Sequence, residues 1–457
     1  MAICLFFRNF APDLHITGMS ISHTYLRIIA FAVLIAIGAA PSQAQYQTRT
    51  FLPSIRTLRV QYPDAQSLQR PYLVLGEDNI IDGTDPTNTL EVSFDEMSHD
   101  LHLYTYTVRH LNHDNTPSDL TLAEYLRGFT TADITDYASS LTTQQAYTHY
   151  SFTFPNEDMQ LTAGGNYALI IYEDGDPEQV VATVCFAVVE PLVSVSAQVR
   201  SNTDREFDGR YQQLDIDLST DALQIKDANT ITVVVRQNGR LDNAVTLTHP
   251  TYVEPTRLRY SHMRELIFEG GNEFRHFDIY STYYAGYHVD RIRYAQGEYH
   301  AILDTDMPRG IVATEATREG TPYLTEYDTN GQWRINAEKT DDPDVDAEYM
   351  WVHFLLPVPH PVMDGNIFVG GELFHQRFTA DNLMQYDAET QCYYLHAYLK
   401  QGAYDYLYYI VPAQGKPATL LPLEGSHWQT QNDYTIYVYY RPFASRYDRL
   451  VAIHEWH

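Results

Sequence analysis

Alternating hydrophobic and polar positions run through most of the chain and predict a protein built mostly from β-strands. In residues 101–110 every second side chain falls on the same face of an extended backbone, although the pattern does not decide which face lies inside. Further strands are predicted at 167–172, 180–189, 230–236, 298–303 and 434–440. Short strands separated by turn signals at such spacing are typical of antiparallel β-sandwiches.

One short helix interrupts the strand pattern. Thr121 and Glu124 have the spacing of a capping box, and Leu120 and Tyr125 can form the accompanying hydrophobic staple. Gly128 can adopt the left-handed conformation that ends many helices. We therefore predict a short helix inserted between two strands.

Two breaks divide the strand pattern, one at Glu190-Pro191 and one in the acidic, proline-containing stretch 339–348. They predict three consecutive immunoglobulin-like (E-set) antiparallel β-sandwiches, with the short helix inserted in the first. The expected boundaries are 45–191 for the N-terminal sandwich, 192–343 for the middle sandwich and 344–457 for the C-terminal sandwich. Each has the usual size of a single domain.

Residues 1–44 have the features of a leader. The apolar run 28–37 follows Arg27 and precedes a small-residue cleavage signal at 42–44, which is typical of a secretory signal peptide. We interpret Met19 as the true start and Gln45 as the first residue of the mature chain. No transmembrane segment is expected after processing, because no other apolar run is long enough.

Composition narrows the class of protein. The chain of 457 residues is 44% hydrophobic and 19% charged, values that exclude global disorder, and its formal net charge is −29. A protein with this negative charge repels phosphate backbones, and nucleic acid is therefore not expected as a partner. Beyond the leader only Cys185 and Cys392 are present, which excludes a disulfide scaffold and favours two free thiols.

Candidate chemistry is sparse. His102 and His110 fall on one strand face, but eight residues of strand separate them by about 26 Å, too far to share an ion. The acidic turn 172–178 lacks the spacing of a calcium loop and is better explained as a hairpin connection. No catalytic triad, zinc-protease or phosphate-loop motif is present, so we predict neither an enzyme nor a bound metal or cofactor.

The stretch from about 350 onward resembles the glycogen-binding sandwich modules attached to starch enzymes and kinases. Such modules stack sugars on exposed aromatic side chains, and a tryptophan expected near Gln376 is absent. A periplasmic carbohydrate-binding protein that uses the C-terminal sandwich, with Tyr404 and Tyr406 as candidate stacking residues, stays open as an alternative function.

Several blocks in a fixed order resemble one family over most of the chain, from about Ile55 to Val451. The blocks are 137–156, 172–176, 237–243, 270–279, 424–434 and 439–442. The motif positions that we single out in them are Tyr147, His149, Tyr150, Glu173, Asp174, Gly175, Gly270, Gly271, Asn272, Asp278, His427, Trp428, Asp433, Tyr434 and Arg441. This arrangement is similar to the plug proteins of the type IX secretion system of Bacteroidetes.

The resemblance implies a function that composition and spacing do not reach. A member of this family is expected to be a non-enzymatic periplasmic protein, attached peripherally to the giant outer-membrane translocon barrel. It would dock on the periplasmic mouth of that barrel and close the channel when cargo is absent. The barrel is then the expected partner, and no obligate homo-oligomer is predicted.

Overall fold

The computed structural model describes residues 45–63, 70–76, 78–205, 209–223, 225–310, 323, 328–338, 340–415 and 417–457. The predicted leader, 1–44, lies outside the described residues. The described chain consists mainly of antiparallel sheets packed face to face, which confirms the predicted mostly β sandwich fold.

The first sandwich packs a six-stranded sheet against a four-stranded sheet. The larger sheet contains β1 (Arg49–Thr50), β3 (Tyr72–Val74), β5 (Tyr104–Leu111), β7 (Thr131–Asp133), β11 (Gly165–Glu173) and β12 (Val180–Val189). The smaller sheet contains β2 (Ile55–Gln61), β4 (Leu90–Glu96), β8 (Asp136–Ser139) and β9 (Thr148–Phe154), and a separate pair joins β6 (Leu126–Gly128) to β10 (Met159–Leu161). In β5 the buried face carries Tyr104, Tyr106, Val108 and His110.

The second sandwich combines strands from two distant parts of the chain. Its first sheet contains β13 (Ser194–Arg200), β14 (Tyr211–Ser219), β17 (Tyr252–Glu254), β18 (Arg257–Tyr260) and β19 (Ile267–Glu269). Its second sheet contains β15 (Ile231–Gln237), β16 (Val245–Leu247), β29 (Tyr434–Tyr440) and β30 (Arg449–Trp456). β29 pairs with β15 along its whole length, so this sheet closes only when the chain returns.

The third sandwich lies in sequence between those two parts. One sheet contains β21 (Val289–Ala295), β22 (Glu298–Leu303), β24 (Tyr349–Pro357), β26 (Gln385–Asp387) and β27 (Cys392–Lys400). The facing strands are β20 (Arg275–Asp278), β23 (Trp333–Ile335), β25 (Gly365–Gly370) and β28 (Gly402–Pro412). Parallel pairing occurs between β22 and β24 here and between β3 and β12 in the first sandwich.

This topology corrects the predicted linear division at 343/344. The third sandwich is an insertion in the second, because β20 to β28 lie between β19 and β29 in the chain. Alternation predicts a strand at 434–440 but carries no information about its partner. The predicted C-terminal sandwich, 344–457, therefore includes β29 and β30, which belong to the second sandwich. The predicted boundary at 343/344 falls inside a short helix, α2 (Pro343–Asp346).

The predicted helix is present as α1 (Leu122–Tyr125). The Thr121 backbone N–H donates to the Glu124 carboxylate at 2.7 Å, as the capping box requires. The helix ends at Tyr125, however, and Gly128 lies in the next strand, β6, with a φ of 106°. There a Cβ atom would lie 2.1 Å from the Asp158 carbonyl oxygen, so this glycine permits a close strand approach.

Each sandwich has its own apolar core, and smaller clusters lie where the sandwiches meet. Ala187 and Val189 of the first sandwich pack with Val234, Tyr439 and Leu450 of the second. Contact between the sandwiches is extensive enough for residues 45–457 to group as one unit.

Candidate functional site

A buried ion pair joins the first and third sandwiches. Asp95 on β4 and Lys400 at the end of β27 are 0% and 1% exposed, and the Lys400 Nζ lies 2.6 Å from an Asp95 oxygen. The other oxygen lies 2.6 Å from the His149 Nδ1. Burial opposes the charge on Asp95, but Lys400 and His149 outweigh it and hold the pKa of Asp95 below its usual value.

Two tyrosines complete this junction. The Tyr349 hydroxyl donates to Asp95 at 2.7 Å, and the Tyr147 hydroxyl donates to the Ala347 carbonyl at 2.9 Å. The Lys400 ammonium lies 4.2 Å from the centre of the Tyr147 ring, within the range of a cation–π contact. These directional contacts fix how the two sandwiches meet.

The acidic stretch before β24 docks on the first sandwich through hydrogen bonds and an ion pair. Arg59 of β2 pairs with Asp344 of α2 at 2.5 Å. The Glu348 carboxylate accepts hydrogen bonds from the backbone N–H groups of Gln144 and Gln145, at 2.5 and 3.1 Å. Through Asp344 and Glu348 this stretch forms part of the interface between the first and third sandwiches.

A buried charge network links the third sandwich to the segment through which the chain returns to the second sandwich. Glu424 accepts from Arg275 at 3.0 Å and from Arg309 at 2.8 Å, and Arg275 also donates to Asp306 at 2.6 Å. All four side chains are at most one-tenth exposed. Burial disfavours the ionised form of Asp306, but Arg275 and His288 outweigh it and lower the pKa of Asp306 to about 2.

The chain passes between these two sandwiches twice, and the two crossings are packed against each other. Gly271 accepts a backbone hydrogen bond from His427 at 2.8 Å, and the Asn272 side chain donates to the Glu424 carbonyl at 3.0 Å. A Cβ atom on Gly270 would lie 2.1 Å from the His427 carbonyl oxygen. Glycine is therefore required at 270 for the crossings to approach.

The first and second sandwiches are joined by the apolar cluster described above and by several polar contacts, among them an ion pair between His113 and Asp448. Glu190 forms an ion pair with Arg449. The Tyr439 hydroxyl donates to Asn166 at 2.9 Å. All three pairs of sandwiches are thus in direct contact.

The structure distributes the predicted motif positions over several places. Gly270, Gly271, Asn272 and His427 come together at the double crossing, with Trp428 beside them and 45% exposed. Next along the chain, Asp433 lies 2.9 Å from His457, and the buried Tyr434 hydroxyl donates to Gln212 at 2.7 Å.

Motif positions of the first sandwich fall at two further places. Tyr147 and His149 belong to the junction with the third sandwich. On the other face of β9, the Tyr150 hydroxyl donates to the His102 carbonyl at 3.0 Å, and Glu173 lies 2.5 Å from the His102 ring. Asp174 and Gly175 follow in the turn between β11 and β12, with φ values of 52° and 70°.

The two remaining motif positions lie apart from these groups. Asp278 is the last residue of β20, and Arg441 lies 3.6 Å from Asp448 near the junction of the first and second sandwiches. The motif positions therefore form no single exposed site, and most of them make contacts within the fold.

The structure shows the surroundings of the histidines considered for metal binding and of the tyrosines considered for sugar stacking. His110 is buried between Ser118 and the Gly164 carbonyl, and burial lowers its pKa to about 4. Within the described ranges, no three histidine, cysteine or acidic side chains are placed to hold one metal ion. Tyr404 and Tyr406 are 3% and 0% exposed, so neither can stack on a sugar, and their assignment as stacking residues is wrong.

Sequence reasoning missed the charged residues that hold the sandwiches together. Asp95, Lys400, Asp306 and Glu424 were not singled out. One feature of the sequence could have indicated such a buried charge: a charged residue directly after an apolar alternating strand, as Lys400 follows 392–399. A single sequence does not reveal which opposite charge it meets.

No helix in the described part of the chain combines the length and the apolar character needed to cross a membrane. None of the curated proteins matches the chain.

Comparison with known proteins identifies the family. A family model described as "Type 9 secretion system plug protein 1st domain" matches residues 55–190, which lie within the first sandwich. The crystal structure of a hypothetical protein from Parabacteroides merdae is similar over 91% of this chain and 100% of its own, with a TM-score of 0.84 and 35% sequence identity. The order of motif blocks, the sandwich fold and these matches agree, and the chain belongs to the type IX secretion system plug protein family.

Proposed function

We propose that this protein is a non-enzymatic plug, which docks on the periplasmic mouth of the giant outer-membrane translocon barrel and closes the channel when cargo is absent. Family membership supports a role with the secretion machinery and a periplasmic location near the outer membrane. The observation that carries the proposal is that three sandwiches form one unit, in which ion pairs join the first sandwich to the third and to the second, and a buried hydrogen bond from Gln376 to the Asn238 carbonyl joins the third to the second.

A stopper must keep its shape under load. Barrels of 16–18 strands already enclose an aqueous channel, so a larger one needs a folded body to obstruct it. Close-packed sandwich cores deform little, and the buried junctions give three such cores a defined relative placement. No disordered linker is needed for the protein to span a wide opening.

An ordered tyrosine-rich loop is our candidate for the contact with the barrel. Tyr283, Tyr284 and Tyr287 follow β20 in the third sandwich and are 80%, 65% and 55% exposed. The Ser281 hydroxyl accepts hydrogen bonds from the backbone N–H groups of Tyr283 and Tyr284, at 3.2 and 3.3 Å. Tyrosine is favoured in interfaces because it combines apolar area with a hydrogen-bonding group.

Affinity purification from detergent-extracted outer membranes tests the proposal. A tagged wild-type protein should recover a very large barrel protein, and the double variant Tyr283→Ser/Tyr284→Ser should recover much less of it. Tyr252→Ser on the second sandwich is the matched control, because Tyr252 is similarly exposed at 56% and lies outside the loop. Recovery of no barrel protein by the wild type would contradict docking.

Closure is tested separately in cells that lack the protein. If it seals the channel, its deletion should make the envelope more permeable to large antibiotics, and wild-type protein should restore the barrier. Unchanged permeability together with unchanged secretion would contradict the plug function. If the wild type recovers the barrel protein and the double variant Tyr283→Ser/Tyr284→Ser recovers as much of it, the loop is not the contact surface.

A further inference from the structure

A groove of about 450 Å³ lies between the first and third sandwiches. One wall is formed by β1 and the start of β2, and the other by β27 and the segment 373–385. Its volume is in the range of known ligand sites.

The groove is rich in positive charge although the protein is strongly acidic. Arg49, Arg56 and Arg377 line it, whereas Asp381 is the one acidic residue among its described lining. No ion pair joins any of these three arginines to an acidic residue in the described ranges. Their guanidinium groups therefore lie in the groove without a paired carboxylate, unlike the buried Arg275 and Arg309.

Two of these arginines also act on each other. Burial, together with the neighbouring Arg49 guanidinium, lowers the pKa of Arg377, and Asp381 only partly opposes this effect. Like charges held close together are unfavourable unless an anion neutralises them. A carboxylate fits this need best, because a guanidinium can bind both of its oxygens.

Aromatic side chains cover the wall of the third sandwich. Trp351 of β24 is the cross-strand partner of Tyr398 of β27, and Tyr394 lies on the same face of β27; all three line the groove and are half-buried. The Trp351 and Tyr398 rings lie 4.9 Å apart, and Arg56 sits 5.4 Å from the centre of the Tyr398 ring. This wall suits apolar or aromatic groups that alternate with charged ones.

The wall of the first sandwich is formed by two edge strands. β1 and β2 are edge strands of their sheets, and each pairs on one side only among the strands that the structure describes. An extended polypeptide can add to such an edge through its own backbone groups. A lipid headgroup or a free phosphate makes no such use of strand edges.

We propose that this groove binds an extended, acidic, aromatic-containing peptide segment of a partner protein. Acidic side chains of that segment pair with Arg49, Arg56 and Arg377, and its apolar side chains pack on Trp351 and Tyr398. The inference does not rest on channel closure, because any partner that presents such a segment satisfies the groove.

Fluorescence anisotropy with the full-length protein tests this binding. The probe is a short fluorescein-labelled peptide of alternating Glu and Tyr, and the comparison peptide replaces Glu by Lys. We expect saturable binding of the acidic peptide only, and a dissociation constant that rises with salt. The double variant Arg49→Ala/Arg377→Ala should bind at least about tenfold more weakly, because charge-assisted hydrogen bonds are lost.

Arg127→Ala is the matched control, because Arg127 is an exposed arginine of β6 and does not line the groove. It should bind like the wild type, and circular dichroism should show that all variants stay folded. Absence of saturable binding, equal binding of the Lys peptide, or binding unchanged in the double variant would overturn the proposal. Competition by inorganic phosphate or by anionic vesicles as strong as that by unlabelled peptide would also overturn it.

The two proposals fail in distinguishable ways. A groove variant that loses the peptide but still recovers the barrel protein supports a peptide site separate from the channel contact. A wild-type protein that binds the peptide but recovers no barrel leaves the groove assignment standing and rejects docking on the channel.

Discussion

The junction of the first and third sandwiches differs from that of the second and third in how the chain connects them. The second and third sandwiches are joined by two chain crossings that pack on each other at Gly270 and His427. The first and third sandwiches share no direct chain connection, and residues about three hundred positions apart meet at Asp95 and Lys400. Where the backbone does not set the placement, directional contacts between buried charges do so.

Two aspartates near these junctions, the buried Asp95 and the half-buried Asp328, have pKa values shifted in opposite directions. Asp95 has Lys400 and His149 as partners, and its pKa lies below the usual value. Asp328, near the double crossing, forms no ion pair with a described residue. Burial, with Asp405 and Glu273 nearby, raises the pKa of Asp328 to about 7.

The largest expected effect comes from removing the cation at the first–third junction. Lys400→Met leaves Asp95 buried without its strongest partner and should lower the free energy of unfolding by about 3–5 kcal/mol. Chemical denaturation of the variant and the wild type measures the difference.

Two further variants sharpen this prediction. Combining Lys400→Met with Asp95→Asn should restore part of the lost stability, because no unpaired charge then remains. Arg257→Ala, which breaks an ion pair on the exposed surface of β18, should change the free energy of unfolding by less than about 1 kcal/mol. Similar effects of Lys400→Met and Arg257→Ala would contradict the importance of burial.

A smaller effect, dependent on pH, is expected at Asp328. Between its ordinary value of 3.8 and about 7, folded Asp328 keeps a proton that the unfolded chain has released. Its contribution to stability therefore falls as pH rises through this window. Asp328→Asn should remove this loss and be more stable than the wild type near pH 8, by about 2–4 kcal/mol.

Thermal unfolding over a pH series measures this effect, with Asp306→Asn as the counterpart. Asp306 has a pKa of about 2, so its stabilising contribution is present at neutral pH and is lost as pH falls from its usual 3.8 toward 2. Its substitution should destabilise at neutral pH, opposite in sign to Asp328→Asn. The same sign for both would show that the partners of these carboxylates do not decide their effect.

The smallest effect is expected from crowding the double crossing. Gly270→Ala places a methyl group 2.1 Å from the His427 carbonyl oxygen in the unrelaxed fold, and the backbone shift should lower stability by about 1–3 kcal/mol. Gly76→Ala is the control, because nothing lies within 4 Å of its Cβ position, and it should stay within about 0.5 kcal/mol. Equal denaturation midpoints for the two variants would show that the crossings adjust freely.

Sequence reasoning succeeded where the information is local. The apolar stretch 180–189 is β12, and the capping signals at Thr121 and Glu124 mark the start of α1. The end of that helix was missed, because the sequence after Tyr125 enters strand pairing with β10 before Gly128 is reached. Tertiary pairing there overrides a local stop signal.

The rest depends on encounters between distant residues. Nothing in 434–440 shows that it pairs with β15, and nothing near Asp95 shows that Lys400 will reach it. The groove is beyond local patterns for the same reason, since Arg49 and Arg377 come from different sandwiches. The resemblance identified the family of the chain, but it did not distinguish motif residues that stabilise the fold from motif residues that contact a partner.

The insertion of the third sandwich into the second has a consequence for biosynthesis. During vectorial emergence of the chain, β15 stays without its neighbour β29 until some two hundred further residues have followed. Until then the edge of β15 that later pairs with β29 is unpaired and can aggregate with other chains. This is the period in which a holdase chaperone would protect it. The second sandwich can therefore complete its folding only after β29 and β30 have been synthesised.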